Sequence, residues 1–138
     1  MKNNMKEHQI EVRVRYSETD QMGVVYHGNY IPYFEIGRVE WLREKGVSYK
    51  SLEDSGIALP IVSMTINYKK PARYDDLLYV KTRFKSHSSV KIEFDCQILS
   101  EANELLTTAH FILVFVEMKS GRPIVPPEHI KKILEALD

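Results

Sequence analysis

The sequence predicts an α+β protein: one long helix held against a curled antiparallel sheet of about five strands, with a short helix at the C-terminal end. Three features carry this expectation. Apolar residues recur at helical spacing through one long segment, residues 27–45. Beyond residue 61 the apolar period changes to two and stays there. The tail PPEHIKKILEAL then returns to helical spacing.

Ile10, Val12, Val14 and Tyr16 alternate with Glu11, Arg13 and Arg15, which predicts an opening strand with one dry face. In the long helix, Tyr30, Phe34, Gly37 and Trp41 form the central stripe. Ile31, Tyr33, Ile36, Val39 and Leu42 widen it, and Gly46 is placed to end it. A surface this broad predicts a helix enclosed by other elements. Gly37 costs about 1 kcal/mol of helix propensity against alanine, which points to another backbone passing close by. The stretch VSYKSLEDSG reads as a polar link. Strands are expected at residues 62–68, 78–84, 90–98 and 105–118. The links KKPARYDD, SHSS and EANE are short and turn-rich, so these strands are expected to be sequential antiparallel neighbours. Residues 109–116 are apolar on both faces apart from His110, which predicts a central strand covered on both sides. Pro127 and Glu128 suit the first turn of the closing helix, with Ile130, Ile133, Leu134 and Leu137 along one side.

The 138 residues suit a single domain spanning 1–138, long enough to bury a core without disulfides or metal. Lys plus Arg and Asp plus Glu both total 19, so there is no basic excess to suggest nucleic acid or an anionic membrane. The single cysteine, Cys96, fits a reducing compartment and sits on the apolar face of its strand as a small core residue. The start, MKNNMKEHQ, lacks the apolar stretch of a signal peptide, and the longest apolar run, FILVFV, is far short of the roughly 20 residues of a membrane span. A cytoplasmic protein is expected. There is no glycine-rich phosphate loop, nucleophile elbow or dinucleotide fingerprint. His8, His27, His87, His110 and His129 do not fall at metal-ligand spacing, so no metal is expected. His110 reads as a hydrogen-bonded core histidine.

What remains is the acidic turn YSETDQMGVVYHGNY, residues 16–30, between the first strand and the helix. Pro32 has no N–H to give and is comfortable only in a helix's first turn, so the helix starts at about residues 26–29. The free N–H groups there, with the positive end of the helix dipole, suit a developing oxyanion. Asp20 stands a few residues upstream, across the flexible Gly23. A carboxylate plus polarising N–H groups is a minimum kit for hydrolysing an activated carbonyl such as a thioester. The same pattern also fits an aspartate that only caps its turn or the helix.

The run YSETDQMGVVYHGNY followed by YFEIGR resembles the hot-dog-fold acyl-CoA thioesterases of the 4-hydroxybenzoyl-CoA thioesterase family, in particular the YbgC-type branch. INYKKPARYDDLLYVKTR and the closing SGRPIVPPE extend the resemblance through most of the chain. It implies the hot-dog arrangement, a helix wrapped by a curled sheet. It also implies that Asp20 is the catalytic aspartate, acting as nucleophile or general base. Gly23, Val24 and Val25 then form the turn that delivers the helix, and the N–H near His27 polarises the thioester carbonyl. Tyr26 and His27 line the acyl pocket or steady the thioester, with Tyr30, Phe34 and Met64 available to an acyl group. Glu35 matches an acidic pocket position of some members and is a second candidate; it fits equally an exposed carboxylate paired with Arg38 or a lysine. Glu18 stands where many members have aspartate, a conservative change outside the chemistry, and Gly28 replaces a common alanine.

The implied activity is hydrolysis of an acyl-CoA to free acid and CoA, with no cofactor, since coenzyme A belongs to the substrate. Lys69, Lys70, Arg73 and Arg122 are candidate phosphate contacts, although a solvated turn would carry the same residues. An acyl-carrier-protein thioesterase and a non-catalytic acyl-binding module are the alternatives. No histidine–carboxylate pairing resembles the motif of a hot-dog dehydratase. Subunits are expected to pair edge to edge or face to face, as a homodimer or homotetramer, because a sheet this size covers only one side of a helix well.

Overall fold

Strand β1 (Glu7–Arg13) leads through a turn into the long helix α1 (Tyr30–Glu44) and a short helix α2 (Tyr49–Asp54). Then follow β2 (Ile57–Ala58), β3 (Ile61–Tyr68), β4 (Leu77–Ser88), β5 (Lys91–Ser100), β6 (Leu105–Val114), β7 (Val116–Glu117) and helix α3 (Glu128–Glu135). This computed structural model describes residues 5–138; the first four residues of the polar start, read above as lacking a signal peptide, lie outside the described residues. The main sheet has five antiparallel strands in the order β1-β4-β5-β6-β3, and α1 packs on one face of it, giving the α+β hot-dog arrangement expected. Among the described residues no helix is long and apolar enough to cross a membrane.

The helical stripe buries as its spacing dictates. Phe34 meets Phe111 of β6 at 5.4 Å between ring centroids. Trp41 stacks on Phe84 at 6.0 Å and takes the edge of Phe94 at 5.0 Å, while its indole N–H donates to the carbonyl of Lys6 at 2.8 Å. All these rings are fully buried, each contributing roughly 1.5–3 kcal/mol by leaving water. Gly46, at φ +86°, ends the helix as expected. Gly37 differs from expectation. A Cβ there would lie 2.7 Å from Thr82 Oγ1 and 3.0 Å from Val80 Cγ1, so what passes close is the side-chain layer of β4 and not a backbone. The helix is also enclosed on its sheet side alone: Glu35 is exposed and Ile36 is 46 % exposed.

The strand plan needs further corrections. β4, β5 and β6 are sequential neighbours, but β3 pairs with β6 at one end of the sheet and not with β4. The segment KKPARYDD is therefore a crossing between distant strands and not a hairpin turn. The expected last strand breaks at Phe115, whose buried ring and N–H bond to Val90 O at 2.9 Å turn the chain into β7, the partner of β2. On β6 the inner face is buried, but Thr108, His110 and Ile112 on the outer face are only half-covered. His110 lies on that outer face, where Nδ1 meets Asp95 at 2.8 Å and Nε2 lies 3.5 Å from Glu93, so it is hydrogen-bonded but not in the core. The first strand ends at Arg13, and Tyr16 swings into solvent against Tyr74. The polar link contains helix α2, capped by Ser48 Oγ accepting from the N–H of Ser51 at 3.0 Å. Cys96 is buried as expected, and burial pushes its thiol up to about 12.

Candidate active site

Beyond a 3-10 turn at Tyr16–Glu18, the acidic stretch folds into a tight hairpin. Thr19 pairs with Val25, the N–H of Asp20 donates to Val24 O at 2.9 Å, and the N–H of Gly23 donates to Asp20 O at 3.0 Å. Gly23 has φ +77°, a conformation costing most side-chain-bearing residues about 1 kcal/mol, so a glycine belongs there. Asp20 Oδ1 accepts the N–H of Met22 at 2.9 Å, and the residue is otherwise exposed. That bond satisfies the turn-capping alternative without consuming the second carboxylate oxygen.

The chain then makes a 3-10 turn, His27–Asn29, running straight into α1 with Pro32 in the first α-helical turn, close to the predicted start. The N–H of Asn29 donates to Tyr26 O at 2.8 Å and that of Tyr30 to His27 O. The N–H groups of His27 and Gly28 head this run and have no acceptor inside it. The crossing from β3 to β4 passes directly alongside. The N–H of Val25 donates to Ala72 O at 2.8 Å, Val24 pairs with Arg73, and the N–H of Ala72 donates to Tyr30 Oη at 3.2 Å. Burial is the main influence on the Tyr30 hydroxyl and raises its pKa, against the pull of that Ala72 N–H.

A cleft of about 300 Å³ forms where these three pieces meet. It brings together Asp20, Val24, Val25, His27, Tyr30, Lys69 and Lys70, all singled out from sequence, with Tyr68 and Pro71, which were not. Tyr68 closes β3, and its hydroxyl donates to His27 O at 2.9 Å, joining the end of the sheet to the start of the helix. Lys70 is held by Glu104 at 2.7 Å, whereas Lys69 has no carboxylate within ion-pair reach among the described residues. Gly23 shapes the turn without lining the cleft, and the half-exposed Tyr26 ring lies tilted against His27, 4.2 Å between ring centroids, also outside the cleft lining. A Cβ at Gly28 would lie 2.9 Å from the Tyr26 ring, so the glycine lets that ring fold against the helix start. Arg73 contributes backbone pairing, and its N–H donates to Asp76 Oδ2 at 2.8 Å; its side chain is not among those lining the cleft. Arg122 lies in the turn after β7, and Glu35 lies on the open face of α1; neither lines the cleft. The signal for Tyr68 was its place next to Lys69 and Lys70, on the same strand face as Ile66. The arrangement can hold an acyl carbonyl against peptide N–H groups, offer it a carboxylate, and place a cation beside it.

Comparison with known proteins agrees with this geometry. The family model of the thioesterase-like superfamily matches residues 14–134. The chain is 35% identical over 119 residues to the acyl-CoA thioester hydrolase YbgC of Escherichia coli O157:H7, covering 86% of this chain and 89% of that protein. It is 35% identical over 125 residues to the acyl-acyl carrier protein thioesterase ATL3, chloroplastic, of Arabidopsis thaliana, covering 90% of this chain and 65% of that one. The crystal structure of a DHNA-CoA thioesterase from Staphylococcus aureus superposes with a TM-score of 0.88 at 34% identity, over 94% of this chain and 87% of that one. Turn, helix start and crossing strand thus converge with the family match, and the chain belongs to the thioesterase-like superfamily, with the hot-dog fold of the 4-hydroxybenzoyl-CoA thioesterase family.

Proposed function

We propose that this protein hydrolyses an acyl-CoA thioester to the free acid and CoA, with Asp20 as the reacting carboxylate. The observation that carries the reading is the shared cleft. Asp20 and His27, which opens the turn into α1, line one cavity; Asp20 keeps one carboxylate oxygen outside its turn bond, and the N–H groups of His27 and Gly28 have no acceptor within the 3-10 turn. The thioester oxygen would rest on the N–H groups of His27 and Gly28, which stabilise it as negative charge develops. Asp20 then either attacks the carbonyl carbon, expelling the CoA thiolate and leaving an anhydride that water cleaves, or takes a proton from the water that attacks. Thiolate leaves without acid assistance. The chemistry calls on no cofactor. Lys69 stands free to meet a phosphate of CoA, and Tyr30 and Tyr68 offer aromatic walls to the acyl group. Glu35, exposed and outside the cleft, remains the second candidate carboxylate.

The decisive measurement is thiol release from a panel of short-chain, long-chain and aromatic acyl-CoAs by wild type and Asp20→Asn. Turnover that disappears in the variant while ligand binding persists is the expected result. Full turnover in Asp20→Asn would sink the assignment and turn attention to Glu35. A carrier-protein thioester is a second reading, favoured by the similarity to the Arabidopsis acyl-carrier-protein thioesterase. It predicts turnover of carrier-protein thioesters where acyl-CoAs are inert.

Two features of setting belong to the same proposal. The buried, unpaired Cys96 supports a reducing, cytoplasmic environment. The eight-residue β3 is an edge strand with Val62 57 % and Met64 46 % exposed, which supports pairing of subunits along that edge.

A further inference from the structure

We infer that Glu18 is a positioning residue: its carboxylate ties the acidic turn to the body of α1 and so sets where Asp20 stands relative to the N–H groups of His27 and Gly28. The inference rests on the reading of Asp20 as the reacting group.

Asp20 has little of its own to hold it. Its carboxylate accepts the N–H of Met22, inside its own turn, so its place is inherited from the backbone on either side. Glu18, two residues earlier, is where that backbone is fastened. Its carboxylate accepts the main-chain N–H of Arg15 at 2.7 Å, Arg15 Nε at 3.1 Å and Nη2 at 3.0 Å, and the hydroxyl of Tyr33 at 2.8 Å. Its carbonyl oxygen accepts the N–H of Tyr26 at 2.9 Å and the side-chain amide of Asn29 at 2.8 Å. The exit from β1, the hairpin, the 3-10 turn and the first turn of α1 therefore meet at one residue. Tyr33 is fully buried and moves only with the helix. The Glu18 side chain is 15 % exposed, and hydrogen bonds to an ionised group in such a site are the strong kind. Burial by itself pushes the Glu18 carboxyl up, but the N–H of Arg15, the Tyr33 hydroxyl and the Arg15 guanidinium together outweigh it and hold the group below the usual range.

Glu18 also completes a capping box with Arg15, and a residue doing only that would lower the melting temperature while leaving kcat alone. Positioning predicts the reverse emphasis. A misplacement of 1 Å at a reacting centre costs on the order of 100-fold in rate, so a fraction of that shift is visible in kcat with substrate binding kept.

The test is kcat, KM and melting temperature for wild type, Asp20→Asn, Glu18→Gln, Tyr33→Phe and the Glu18→Gln/Tyr33→Phe double variant, on an acyl-CoA that the wild type turns over. The expected result is a kcat lowered about tenfold or more in each of the two clamp variants, with KM within about threefold. The double variant should fall no further than the worse single one, because both changes remove the same tie. If Glu18→Gln fails to fold, Tyr33→Phe, which deletes one hydroxyl, carries the test. Loss of turnover in Asp20→Asn with wild-type kcat in the clamp variants overturns the clamp and leaves the function standing. Losses that multiply in the double variant overturn it too. Turnover persisting in Asp20→Asn overturns the reading of the site, and the clamp with it.

Discussion

The hydroxyl of Tyr68 reaches the carbonyl of His27 at 2.9 Å, holding the first peptide of the helix run against the end of the sheet. Removing that bond with Tyr68→Phe should cost about 0.5–1.5 kcal/mol, read as a two- to tenfold fall in kcat in steady-state kinetics. Lys69→Ala should raise KM for a CoA substrate several-fold, with the defect shrinking at high salt; Lys70→Ala should do less, since Glu104 already holds that charge. Acid should undo the Glu18 clamp. A carboxyl whose native pKa lies below its unfolded value contributes its full stabilisation above the unfolded value and loses it as pH falls through the native one. Wild type should therefore lose kcat and the protection of the Tyr26 amide together below about pH 4, measured by initial rates and hydrogen exchange. Asp20, His27, Lys69 and Lys70 stood out in sequence by residue type, by their place at element ends and by the family resemblance, and the fold brings all four to one cleft. Glu18 did not stand out, because its importance lies in Tyr33, fifteen positions away, a partner that only the folded turn brings within reach.

Helix α1 and strand β4 are fitted to each other through Gly37, Thr82 and Val80. Gly37→Ala gains helix propensity but drives a methyl group into Thr82 Oγ1, 2.7 Å away, so a net loss of about 1–3 kcal/mol is expected in urea unfolding. Stability equal to wild type would mean that the two elements slide past each other freely. Helix and strand periods were readable because wet and dry positions repeat along them, and β3, β4, β5 and β6 each begin within one residue of where alternation put them, although β4 runs on to Ser88 and β6 stops at Val114. Pairing order was not readable. Nothing in KKPARYDD distinguishes a hairpin turn from a crossing, since Pro71, Asp75 and Asp76 serve either. What decides is Ala72, a small apolar residue that can be buried beneath Tyr30 and bonded to Val25. The break at Phe115 was hidden for a similar reason: an unbroken apolar run carries no mark of where it changes sheets.

The single chain ends its main sheet on two edges, β1 and β3, and leaves one flank of α1 open; of the two edges, β3 carries the exposed Val62 and Met64. Met64→Lys should weaken self-association along that edge, seen as a lower mass by light scattering, and should disturb the cleft only through assembly, since Met64 does not line it. An unchanged mass in a protein that is oligomeric as wild type would place the contact elsewhere. The crossing segment between β3 and β4 carries Lys69 and Pro71 on the rim of the cleft, while its middle, Ala72 and Arg73, is stitched to the acidic turn. The loop that solves a routing problem for the sheet is thus the same loop that greets the substrate. Residues added or lost between Lys70 and Ala72 would reshape the cleft mouth while leaving the bonds that Lys69 and Lys70 give to Leu106 O, whereas the same change after Ala72 would strain the stitch. Substrate preference has a built-in site of inexpensive variation, and it lies on one side of a single alanine.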